Sequence, residues 1–115
     1  MSAVTTHVLD TMHGEPASGV VVRLERAGEA DLELGRGTTN ADGRISDFGV
    51  PSLSEGTYRL VFETGAYLDA MDGGSGSGHA FFPEIVVTFA ADGLRPRYHV
   101  PLLLSPYSYS TYRGS

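Results

Sequence analysis

The chain has 115 residues, 41% of them hydrophobic and 19% charged, which suits one globular domain over residues 1–115. A net charge of −6, with all eight basic residues Arg, disfavours nucleic acid and anionic membrane surfaces; local arginines can still attract a small anion into a pocket. The absence of Cys excludes disulfides, thiol nucleophiles and thiolate metal sites, and the absence of Lys excludes Schiff-base chemistry.

The opening Met1–Thr6 has neither the basic nor the apolar region of a secretory signal, so a cytoplasmic location is expected. Thr5–Asp10 reads as a first strand, followed by a loop over Thr11–Gly19. Val20–Arg26 is β-branched and then alternating, a second strand, and Leu32–Thr39 a weaker third. Asn40-Ala41-Asp42-Gly43 is a turn, and Arg44–Phe48 a short strand leaving it. Gly56–Glu63 is another strand. Thr64–Met71 is the one predicted helix, with Thr64 as its cap and Ala66, Leu68, Ala70 and Met71 as helix formers.

Asp72–Gly78 is a Gly/Ser-rich surface loop. Phe82–Ala90 is a strand, and Arg97–Leu104 with Tyr107–Tyr112 makes a final hairpin joined at Ser105-Pro106. No window offers the roughly 18 apolar residues of a membrane span. Seven or eight short strands and one short helix predict an all-β, antiparallel β-sandwich.

Four histidines are candidates for chemistry. His7 lies mid-strand, on the face of Thr5 and Leu9 and opposite Thr6 and Val8. His99 is mid-strand too, opposite Tyr98, Val100 and Leu102. Either one alone reads equally well as a half-exposed imidazole on a solvent face. Two of them, in the first and penultimate strands, point to a joint site. His13 and His79, in loops beside Gly, read as solvated. Arg44 by residue type alone reads as a surface Arg pairing with Asp42 or Asp47, a contact of about 0–1 kcal/mol. Tyr107, Tyr109 and Tyr112 suggest packing on a sheet face for at least the first two. No GxSxG elbow, HExxH motif or phosphate-cradling Gly loop is present. His7, His13 and His99 lack the spacing of a metal site, so no metal is expected.

The chain ends Tyr112-Arg113-Gly114-Ser115, placing a phenol, a guanidinium and a hydroxyl together after a strand. With Thr6-His7-Val8-Leu9-Asp10-Thr11, Gly14-Glu15-Pro16-Ala17, Thr39–Arg44, Phe81-Phe82-Pro83-Glu84 and Tyr98–Pro106, this pattern resembles the 5-hydroxyisourate hydrolase family, the transthyretin-related enzymes of urate breakdown. The resemblance runs the whole chain.

It implies a transthyretin-like β-sandwich, assembled as a homotetramer with sites at the dimer–dimer interface. It also implies ring-opening hydrolysis of the small molecule 5-hydroxyisourate without a cofactor. By the same resemblance His7, Arg44 and His99 are the catalytic residues, and Tyr112, Arg113, Gly114 and Ser115 bind substrate. Asp72–Gly78 is longer than the usual family link, and Arg97 stands where many members carry another histidine. A non-enzymatic, transthyretin-like carrier is the alternative. The carrier lacks both strand histidines and the terminal signature, all of which are present here.

Overall fold

A computed structural model describes residues 3–28, 32–71 and 80–114. Its elements follow in order as β1 (Val4–Asp10), β2 (Glu15–Pro16), β3 (Val21–Arg26), β4 (Leu32–Thr38), β5 (Arg44–Ile45), β6 (Gly56–Glu63), α1 (Thr64–Met71), β7 (Ile85–Ala91), β8 (Tyr98–Leu104) and β9 (Tyr109–Thr111). Two sheets form the predicted sandwich. One runs β2-β1-β8-β9, with β5 also on β1, and the other runs β4-β3-β6-β7. β2 and β5 share one edge of β1 end to end, β5 at Thr6 and His7 and β2 at Leu9 and Asp10. Every pair is antiparallel except β1 with β8, which run parallel.

The core follows from period-two alternation. β1 sends Val4, Thr6, Val8 and Asp10 inward; β3 sends Val22 and Leu24, and β8 sends Tyr98, Val100, Leu102 and Leu104. Leu60, Phe62 and Ile85, in the same sheet as β3, join Val22 and Leu24 in facing the β1 and β8 side chains, all buried. Each such large side chain contributes about 1.5–3 kcal/mol of burial. The inward hydroxyl of Thr6 is satisfied at the Val100 carbonyl, 2.6 Å away.

Several boundaries move for identifiable reasons. The expected strand Arg44–Phe48 stops at Ile45, because Phe48 turns into the core and Gly49 takes a φ of 78°. β7 begins at Ile85, not at Phe82. The carbonyls of Phe82 and Pro83 serve the start of α1 instead, accepting from Thr64 Oγ1 at 2.7 Å and from the Gly65 N–H at 2.9 Å. Thr64 is therefore a buried tether to that segment, not the predicted cap. The final hairpin is shorter than predicted, since Ser105 and Ser108 bond to each other across the turn. Asp72–Gly78 and His79 lie outside the described residues.

Candidate active site

The outward face of the sheet containing β1 and β8 gathers three residues far apart in sequence. On β1 the alternation that buries Val4 and Val8 turns Thr5, His7 and Leu9 outward, each half-buried. On β8 it turns His99 and Leu103 outward. The parallel register sets Thr5 beside His99 and His7 beside Pro101. The two histidines are thus diagonal neighbours on adjacent strands, about 8 Å apart at Cα by strand spacing and rise. Across the other edge of β1, Arg44 stands directly opposite His7 and so projects to the same side.

The Asn40–Gly43 turn holds Arg44 there. Asn40 Oδ1 accepts from the Asp42 N–H at 2.9 Å and the Arg44 N–H at 3.0 Å. Gly43 has a φ of 74°, and its carbonyl accepts from the Val8 N–H at 2.7 Å. A β-carbon at Gly43 would overlap the Val8 carbonyl oxygen, so only glycine lets the turn approach β1 this closely. The surface ion pairs that residue type suggested do not form. Arg44 is exposed and pairs with no described acid, and Asp47 accepts the Gly49 N–H instead.

His99 is held on two sides. Its Nδ1 lies 2.7 Å from Thr5 Oγ1. On the other side Gly114 forms a bridge to β8, donating its N–H to the His99 carbonyl at 2.8 Å. Burial pushes the His99 imidazole below its usual pKa. The charge of Arg44 and the neighbouring His7 act in the same direction, and hydrogen bonding with the Thr5 backbone opposes them. The site therefore favours a neutral imidazole at His99.

The terminal signature does not act as one block. Gly114 lies against His99, whereas Tyr112 and Arg113 line an open cleft of about 630 Å³ with Thr57, Phe89, Val100 and Thr111. Neither His7, Arg44 nor His99 lines that cleft. Ser115 lies outside the described residues. Thr5 did not stand out in the sequence, although its parity with His7 placed it on the same face.

A second polar cluster lies at the far end of β1. The buried Asp10 carboxylate accepts the Tyr67 hydroxyl at 2.7 Å and the His13 N–H at 3.0 Å, and His13 Nδ1 is 2.8 Å from its other oxygen contact, Oδ2. His13 is exposed, as its loop position suggested, and it pairs with Asp10 as well. Burial alone would raise the Asp10 pKa, but the bonds from Tyr67 and His13 outweigh it and hold it low. The same carboxylate raises the pKa of His13. Asp10 and His13 border a cavity of about 210 Å³ otherwise lined mainly by apolar side chains, including Leu68 and Phe81. The parity that buries Val4 and Val8 also buries Asp10, and this was the signal available in the sequence. Among the described residues no group of three or more His, Asp or Glu is placed to hold a metal ion. Nor is any described helix long and apolar enough to cross a membrane.

Fold and site together define a transthyretin-like β-sandwich with ionisable groups displayed on the outer face of one sheet. The model of the HIUase/Transthyretin family matches residues 4–114, and the chain belongs to that family. The 5-hydroxyisourate hydrolase of Caulobacter vibrioides is 46% identical over the full length of both chains. The structure of Klebsiella pneumoniae 5-hydroxyisourate hydrolase superposes with a TM-score of 0.82 at 38% identity, covering 99% of this chain and all of that one. Transthyretin from Sparus aurata superposes with a TM-score of 0.86 at 26% identity, covering 99% of this chain and 97% of that one. Within the family the chain stands with the hydrolases.

Proposed function

We propose that the protein hydrolyses 5-hydroxyisourate to 2-oxo-4-hydroxy-4-carboxy-5-ureidoimidazoline in urate breakdown. The relatives named for this activity support the substrate. The observation that carries the chemistry is the register that sets His7, Arg44 and His99 on one sheet face. Water adds across an acyl C–N bond of the six-membered ring. The carbon becomes a carboxylate and the departing nitrogen takes a proton. This calls for a base, an acid and oxyanion support, and for no cofactor.

His99, favoured as the neutral imidazole, takes the proton of the attacking water. His7 orients that water or protonates the leaving nitrogen. Arg44, with no competing ion pair among the described residues, binds substrate oxygens through its planar fork and stabilises the oxyanion as it forms. Proton transfer of this kind contributes about 10²–10⁴-fold. Of the terminal signature, Gly114 bounds the site beside His99. In one chain the histidine face is an open sheet surface, and neither described cavity includes it. A homotetramer that seats this face at a dimer–dimer interface would supply the missing walls.

The test follows the ultraviolet absorbance of freshly made 5-hydroxyisourate with wild type and with His7→Ala, Arg44→Glu and His99→Ala. Each substitution is expected to abolish most turnover while leaving a folded oligomer. Near wild-type rates in all three overturn the reading. The high superposition on a transthyretin keeps a carrier as the second reading. A protein that binds the compound without hastening its decay would decide for it.

A further inference from the structure

We propose that Thr5 is a positioning residue for the hydrolysis: its hydroxyl accepts a hydrogen bond from Nδ1–H of His99 and so presents Nε2 as the proton-accepting atom. This rests on the reading of His99 as the base and adds a residue to it. The geometry is specific. Thr5 and His99 are register partners on parallel strands, and Oγ1 lies 2.7 Å from Nδ1, within the range of a good hydrogen bond. Thr5 is on the outward face only because β1 alternates, with Thr6 spent inward on the Val100 carbonyl.

The chemistry of the partner matters as much as its position. A base working at Nε2 carries its fixed proton on Nδ1 both before and after it takes a proton from water. The Nδ1 partner must therefore accept a hydrogen bond in both states. A hydroxyl does so without bringing a charge, and it leaves the ring free to return to neutrality. The same protein contains the contrasting case, where the Nδ1 of His13 faces the carboxylate of Asp10. There the anion favours the cationic ring. A neutral hydroxyl at His99 fixes the tautomer without that penalty.

Contact on the opposite side completes the restraint. The backbone of Gly114 packs so closely on His99 that a β-carbon there would overlap Cδ2. The ring is bounded at Nδ1 by Thr5 and near Cδ2 by Gly114, which limits rotation and leaves Nε2 pointing away from Thr5.

The experiment compares wild type, Thr5→Val and Thr5→Ser by kinetics and by two-bond ¹H–¹⁵N correlation of the histidine side chains. Val is nearly the same shape and favours strands; a thermal melt checks that it folds. The wild-type spectrum should show neutral His99 with its proton on Nδ1. Thr5→Val should lose that bias and lower kcat about 10- to 100-fold with KM within about twofold. Thr5→Ser should restore both. A wild-type His99 with its proton on Nε2 overturns the proposal. So does a Thr5→Val protein with unchanged tautomer and kcat. His99→Ala is the separate control: if that variant keeps full turnover, the assignment of His99 as base fails, whatever the spectra of Thr5 variants show.

Discussion

The N–H of Gly114 donates to the carbonyl of His99 at 2.8 Å, and no side chain fits between that glycine and the imidazole. Gly114→Ala should therefore push the ring off its position. The expected result is a loss of kcat of about 10- to 100-fold, because small misplacements of a reacting group cost this much. Stability should change little, since this contact lies outside the sandwich core. Steady-state kinetics beside a denaturant melt separates the two effects.

The depressed pKa of His99 gives the pH dependence a definite sign. The folded imidazole stays neutral below the ordinary value of about 6.5, so turnover that needs neutral His99 should persist below that pH before it fails. Arg44→Gln removes a positive charge that helps to depress this pKa. Its residual activity should fall off at a higher pH than wild type. An NMR titration of His99 in both proteins measures the shift directly.

Asp10→Asn should destabilise the fold without touching the histidine face. The buried Tyr67 hydroxyl and the His13 N–H lose a charged acceptor, at a cost of about 1–3 kcal/mol. Chemical denaturation measures it, and turnover per folded molecule should be preserved.

The Asp10–His13 pair also couples stability to pH. The His13 pKa is raised in the fold, so its contribution is fully present below the unfolded value and lost as pH rises through the folded one. The Asp10 pKa is lowered, so its contribution is present above the unfolded carboxylate value and lost as acid protonates the folded group. His13→Gln should flatten the alkaline side of a stability–pH curve and weaken the acid side in part, because Asp10 loses the imidazole but keeps Tyr67 to hold its pKa low.

Gly43→Ala tests the turn that carries Arg44. The left-handed backbone and the approach to Val8 both exclude a methyl group, and strain of this kind costs about 1–3 kcal/mol. The expected outcome is a lower denaturation midpoint together with reduced turnover, because β5 can no longer set Arg44 opposite His7.

Much of this was legible in the sequence. Alternation around His7 and His99 gave the face each imidazole occupies, and Thr64–Met71 was found as the helix it is. What periodicity cannot give is which strands lie side by side. The placement of Thr5 against His99, and of Arg44 against His7, exists only once β1 has β8 on one edge and β5 on the other. The network of Asp10 with Tyr67 and His13 escaped for a related reason. Its partners come from a strand, a loop and the helix, and a carboxylate at a strand end looks solvated until tertiary packing closes over it. The separation of Arg113 from Gly114 was hidden as well, since four consecutive residues give no sign that they serve different surfaces.

The parallel pairing of β1 with β8 has a consequence for biosynthesis. Thr5 and His99 are separated by 94 positions, and all of the intervening chain must leave the ribosome before they can meet. Closing so long a segment is entropically costly and delays the pairing relative to local hairpins. A nascent chain that has emerged only through β7 holds His7 and Arg44 but lacks His99, so catalytic competence would arrive in a single late step.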